Sequence, residues 1–185
     1  NAADDISLLA QSNILQNAAG DVTAVAGSVD AEATVGSITM ADGAETDAGG
    51  NIRYLAAENV VLGRLDSDAD IRVEATAGSI TDAGDASGED VEGVNAQLVA
   101  GTWIGEAAGV GGTPIETDLD VLAADANGGS IYISDSEDLT VGTVGPIVVD
   151  RIGMDSTTTP QQGVTLVGAV ATESVKIEAA SDLTT

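Results

Sequence analysis

Residues Asn51–Asp85 read NIRYLAAENVVLGRLDSDADIRVEATAGSITDAGD, and the stretch holds one phrase twice. Asn51-Ile52-Arg53-Tyr54 returns as Asp70-Ile71-Arg72-Val73, Ala56 returns as Ala75, and Asn59-Val60 returns, one residue later, as Ser79-Ile80. In the second copy Ile71, Val73 and Ala75 fall on one side and Arg72, Glu74 and Thr76 on the other. A period of two marks a half-buried strand. A unit of roughly 16–20 residues with two such strands cannot bury its apolar face alone, but stacked copies can. The expected fold is therefore all-β: a right-handed parallel β-helix (β-solenoid) of short irregular rungs, roughly eight to ten of them in a rod about 40–50 Å long.

The phrase extends outward in both directions. Asp5-Ile6-Ser7-Leu8, Asp21-Val22-Thr23 and Gly36-Ser37-Ile38-Thr39 precede it. Ile6, Val22 and Ile38 follow at intervals of 16 residues, and the spacing is then 14 to Ile52 and 19 to Ile71. Val22, Ile38, Ile52 and Ile71 are expected to form one inward ladder. Asp82–Asn95 is too polar for a strand and reads as a longer loop, and Gly109–Thr113 as a Gly-rich link. Pro114–Ala124 reads as a strand and corner, and Gly129–Val141 as another two-strand rung. The implied organisation is rungs over residues 1–145, an irregular insertion over 146–163 and a terminal rung over 164–185, in one continuous domain.

Composition narrows the function. The 185 residues carry 5 basic and 31 acidic side chains, a formal net charge of −26. Such a surface repels nucleic acid and anionic lipid and retains cations. Neither Cys nor His is present, so there is no disulfide framework, no thiolate site and no imidazole base or metal ligand. Phe is also absent, leaving Val, Ile, Leu and Ala to build the core. No apolar run of about 18 residues exists to cross a membrane as a helix. The start, NAADDISLLA, shows no signal peptide, as expected of a mature chain or an excised segment.

Several phrases resemble a known family. LVAGTWIG at 98–105, TPIETDLDVLAA at 113–124, GGSIYISDSEDLTVGTV at 128–144 and VTAVAGS at 22–28 are similar to repeats of filamentous-haemagglutinin-like bacterial surface proteins. The resemblance covers roughly Asp5 to Val144. It implies a parallel β-helix, export to the bacterial cell surface, and a role in adhesion or in a stalk. Host or cell-surface glycans are the adhesion partners it suggests, and the secretion-recognition domain of such proteins is not apparent.

Candidate chemistry is sparse. Asp66, Asp68 and Asp70 alternate, a spacing that can converge carboxylates on Ca²⁺ in a turn. Asp82, Asp85, Glu89 and Asp90 offer a second, weaker cation site. The bland alternative for both is a solvated acidic surface. Arg53 and Arg72 stack on one outer face if the repeats register, neutralising Glu58 and Glu74. Trp103 is expected to pack rather than to present a sugar platform.

The expected function is an extracellular structural or adhesive segment, not an enzyme, joined head to tail to neighbouring copies or flanking repeats. Both ends read as strand phrases with no polar cap. The alternatives are a carbohydrate-active β-helix enzyme, a polysaccharide lyase or hydrolase, and a β-sandwich subunit of a surface layer or fibre.

Overall fold

The computed structural model describes residues 4–84, 88–106 and 113–185, and no helix occurs among them. In chain order the strands are β1 Ile6–Ala10, β2 Ile14–Gln16, β3 Val22–Ala24, β4 Val29–Ala33, β5 Ile38–Met40, β6 Glu45–Ala48, β7 Ile52–Ala56 and β8 Val60–Leu62. There follow β9 Arg64–Ser67, β10 Asp70–Ala75, β11 Ile80–Asp82, β12 Val91–Ala100, β13 Ile115–Ala126, β14 Ile131–Asp135 and β15 Leu139–Val141. The last are β16 Thr143–Val144, β17 Val149–Ile152, β18 Thr158–Gln161, β19 Leu166–Val167, β20 Ala169–Ala171, β21 Val175–Ala179 and β22 Leu183–Thr184.

Three parallel ladders surround one core. In the first, Ile6, Val29, Ile52, Ile71, Ala96 and Leu122 are successive partners, at intervals of 23, 23, 19, 25 and 26 residues. In the second, Ile14, Ile38, Val60 and Ile80 stack, and single bridges carry the column through Ile104 to Ile131. In the third, Val22, Thr46, Leu65, Val91 and Thr117 stack. Alternation does the rest: β7 buries Ile52, Tyr54 and Ala56 and turns Arg53 and Leu55 outward. With no Phe available, a small inward polar network forms around Tyr54, whose hydroxyl pairs with Thr46 Oγ1 at 2.7 Å and donates to Gln16 Oε1 at 3.2 Å.

This architecture corrects the expected right-handed parallel β-solenoid of short irregular rungs. β12 and β13 run for 10 and 12 residues without a corner. β12 pairs with β9 at Val91–Glu92 and with β10 at Asn95–Ala100, so the first and third ladders fuse into a single 14-stranded sheet. Its main path, β1-β4-β7-β10-β12-β13-β14-β21, curls around the core as a parallel near-barrel. Such strand orders are usual in parallel α/β sheets, where helices make the crossovers; here strands make them. The single expected ladder is corrected too. Ile52 and Ile71 are partners, but Val22 and Ile38 belong to the other two columns. Val91–Asn95, expected as loop, is strand because Glu92 points outward to Arg64. Antiparallel pairing, which a β-sandwich requires, is confined among the described residues to β16–β19 and β17–β18.

Corners explain the recurring Gly-Ser step. Asn13 Oδ1 accepts from Ser37 N–H, and Asn59 Oδ1 accepts from Ser79 N–H, both at 2.9 Å. A Cβ at Gly36 or Gly78 would collide with that same Asn oxygen, so only Gly admits the bond.

The segment over 146–163, expected as an irregular insertion, is laid as a strap across the outer face of the sheet. Gln97, fully buried, directs Nε2 to the carbonyl oxygens of Val144 at 3.0 Å and Val164 at 2.7 Å. Asn51 Nδ2 donates to Val148 O at 2.8 Å, Asp150 N–H to Ser28 Oγ at 3.0 Å and Ile152 N–H to Ser7 Oγ at 2.8 Å. The strap thus crosses from β12 to β1 and back, burying Ile147 and Val149.

Candidate functional site

Register places the charged groups. Val91 is the partner of both Leu65 and Thr117, so the residues just before them, Arg64, Asp90 and Glu116, follow one another across β9, β12 and β13. The backbone confirms this order: Leu65 N–H donates to Asp90 O at 2.9 Å, and Asp90 N–H to Glu116 O at 3.0 Å. Asp82, the last residue of β11, approaches from the second ladder. One carboxylate oxygen each from Asp82, Asp90 and Glu116 lies within 4.8 Å of the other two. Among the described residues this is the only cluster of three acidic groups so converged.

The cluster is deep. Asp90 is 1% exposed. Its Oδ2 accepts from Glu116 N–H at 3.1 Å, while its Oδ1 is buried with no hydrogen-bond partner, as is Oδ2 of Asp82. Burial first, and the charge of Asp82 second, push the Asp90 carboxyl up to about 10. Arg64 does not relieve it: its guanidinium is engaged by Glu92, by Asp66 at 2.9 Å and by Glu45 at 3.7 Å. Glu116 also lines a surface cleft of about 310 Å³, with Gly88, Glu89, Thr117, Ser134 and Ser136.

The alternating trio Asp66, Asp68 and Asp70 does not converge in this way. Asp66 faces outward on β9 against Arg64, and its partners in register are Asp47 and Glu92. Burial raises its pKa, and the neighbouring Glu92 raises it further. Asp68 sits exposed in the following turn, its N–H donating to Ala48 O at 3.0 Å. Asp70 opens β10, where its Oδ1 accepts from Asn95 Nδ2 at 2.7 Å. The turn between β9 and β10 keeps them apart: Asp66 lies on β9, Asp68 in the turn and Asp70 on β10.

No family model, curated protein or solved structure matches this chain.

The chemistry must therefore be read from the residues. Asp82 and Asp90 come from the acidic loop singled out in the sequence; Glu89 lies on the cleft wall, and Asp85 lies outside the described residues, as do residues 109–112 of the Gly-rich link. Glu116 was missed, being 26 residues from Asp90. A signal existed: Arg64-Leu65-Asp66, Asp90-Val91-Glu92 and Glu116-Thr117-Asp118 are three charged–uncharged–acidic triplets spaced evenly by 26. Glycoside hydrolysis needs an acid and a second carboxylate that both reach the sugar. Asp90 is too deep for that, whereas three converging oxygen donors suit a hard cation.

Arg53 and Arg72 are register partners, as expected of one outer face. Arg72 pairs with Glu74 at 2.6 Å, but Arg53 pairs with Asp30 and Glu32, both at 2.7 Å, rather than with Glu58. Trp103 differs from expectation: it is 45% exposed, beside a cleft of about 300 Å³ that Tyr132 and Glu173 also line. Ile104, fully buried in the second column, takes the inward position of this step, and alternation leaves the indole outside.

Proposed function

We propose that this chain is a structural segment of an extracellular bacterial surface stalk or filament, extended axially by parallel strands of its own kind. The observation that carries this reading is the state of the two ends. At one, β1, β2 and β3 each have a single strand partner, and Leu8, Leu9, Ile14 and Leu15 line an apolar hollow of about 370 Å³. At the other, β20, β21 and β22 each have a single partner, and Val141, Val175, Ile177 and Leu183 line a hollow of about 460 Å³. Leu15 is 71% exposed and Val175 46%. Unpaired N–H and C=O groups beside bare core residues favour further strand addition. The net charge of −26 opposes lateral aggregation without blocking the ends. A contact between unlike ends is heterologous and open, so it propagates.

The resemblance to filamentous-haemagglutinin-like repeats supports the cell-surface setting, and the proposed role is non-enzymatic. The test is sedimentation velocity and electron microscopy of residues 1–185 in moderate salt. Concentration-dependent linear multimers are expected; a strictly monomeric particle at all concentrations would sink the reading.

A second reading, glycan adhesion along the stalk, rests on Trp103. An exposed indole with Tyr132 in the same cleft is suited to stack on a sugar face. Glycan-array binding lost in Trp103→Ala is the expected result, and equal binding by both proteins would refute it.

A further inference from the structure

We propose that Asp82, Asp90 and Glu116 bind one hard divalent cation, calcium, and that the ion ties β11 to β12 and β13. The donor set is all oxygen, and the chain has neither His nor Cys, so the imidazole and thiolate ligands that favour zinc and copper are lacking. The three carboxylate oxygens lie within 4.8 Å of one another, close enough to share one ion. Calcium's flexible shell of six to eight oxygens accepts a set completed by water more readily than magnesium's near-ideal octahedron.

The second observation is independent of the clustering. Asp90 is 1% exposed, and its Oδ1 is left without a hydrogen-bond partner inside the cluster; Oδ2 of Asp82 is orphaned in the same way. Buried polar atoms are nearly always satisfied, and an unpaired one asks for a water or an ion. One divalent ion placed between them would satisfy both orphaned carboxylate oxygens at once. The remaining oxygens of each group are held by backbone: Glu116 N–H on Asp90 Oδ2, and Gly84 N–H on Asp82 Oδ1. The free oxygens are thereby aimed without further ordering. Glu116 stands on the wall of the adjoining cleft, which gives the ion its entry and supplies the waters that complete six to eight ligands.

This site does not depend on end-to-end association. The test is isothermal titration of calcium chloride into chelator-treated protein in 0.15 M sodium chloride, on the order of physiological ionic strength, with thermal unfolding in parallel. One calcium per chain is expected, with a melting temperature that rises beyond the response to magnesium or to matched sodium chloride. Asp90→Asn should weaken that site at least about tenfold, loss of one charged ligand costing about 1.4 kcal/mol or more. Asp90→Asn should still unfold cooperatively, since it is nearly isosteric and keeps an oxygen for the Glu116 N–H. Should that variant fail to fold, Glu116→Gln, altered on the cleft wall, must show the same weakening. Asp66→Asn, outside the trio, should bind as the parent does. Absence of a single site in the parent at millimolar calcium would overturn the proposal. So would parent-like binding by both Asp90→Asn and Glu116→Gln.

Discussion

Arg151 Nε donates to Asp30 Oδ2 at 2.6 Å across 121 residues of chain, and Arg53 reaches the same carboxylate from the neighbouring strand β7. Glu32 closes the cluster by receiving both guanidinium groups. Asp30 has no exposed surface, so each arginine satisfies a carboxylate that the strap itself has taken out of water. The strap is thus held by charge as well as by Ile147 and Val149.

Arg151→Ala should loosen the strap without unfolding the sheet. Arg53 remains on Asp30, so the cost is expected at about 1–3 kcal/mol, below that of stripping a buried charge of every partner. Hydrogen exchange at Asp150 and Ile152, whose N–H groups bond to Ser28 and Ser7, should accelerate, while β7 and β10 stay protected. Unchanged protection at those two amides would show that the ion pairs do not hold the strap.

Glu32 makes the same cluster sensitive to acid. Burial pushes its carboxyl upward, but hydrogen bonds and charge from Arg151 and Arg53 outweigh it, and the pKa falls below the ordinary 4.5. A carboxylate depressed in the folded state contributes stability that is present above pH 4.5 and lost as pH falls through its folded value. Melting curves from pH 6 downward should show a steeper acid limb for the parent than for Glu32→Gln. Parallel limbs would remove Glu32 from the account.

Tyr54 gives a marker for the interior. Burial raises its phenol to about 12, although the bond with Thr46 pulls the other way. Its contribution to stability is therefore complete below pH 10, the ordinary value, and lost as pH rises through about 12. Ultraviolet titration should show a late-ionising phenol that Tyr54→Phe removes. That substitution should cost about 1 kcal/mol, because Thr46 keeps Gln16, at 3.3 Å, as an acceptor. Early ionisation of both tyrosines would contradict a packed interior at Tyr54.

The corner chemistry is testable at Gly78. Alanine there would drive Cβ into the Asn59 oxygen that holds Ser79, and overpacking of this kind costs about 1–3 kcal/mol. The same change at Gly88, where no atom stands within 4 Å of the added Cβ, has only the strain of its positive φ of 84° to bear. Gly78→Ala with full stability would show that the Asn–Ser bond is not what fixes the corner.

What the sequence discloses follows from what is local. The doubled phrase around Ile52 and Ile71 is a true pair of neighbours, because both copies lie in the same ladder. Val22 and Ile38 share the alternation but not the column, since three ladders use the same two-residue pattern and the even spacing of 16 steps across them. The spacing between partners along these columns, from 19 residues at Ile52–Ile71 to 27 at Ile104–Ile131, is hidden by its variation. The full length of β12 and β13 was not legible either. The acids of Asp82–Asn95 make the start of β12 look like loop, where Arg64 on Glu92 supports a strand, and Pro114–Ala124 reads as a strand that turns a corner rather than one of 12 residues. Of the acidic trio, Asp82 and Asp90 are visible as a local cluster, but Glu116 joins them only through the β12–β13 register.

Axial growth by strand addition is the central claim, and the absence of Cys allows it to be read directly. Leu15, Thr39 and Val61 are successive partners at one end of the second column, and Tyr132 pairs with Lys176 at the other. Continued stacking would set Leu15 of one copy on Lys176 of the next. Neighbouring strands stand about 4.8 Å apart, within the Cα separation of a disulfide. Single variants Leu15→Cys and Lys176→Cys, mixed under mild oxidation, measure this. The account predicts that the mixed disulfide dominates and that the double variant forms linear ladders of covalent multimers. Equal random pairing, or dimers only between identical variants, would contradict it.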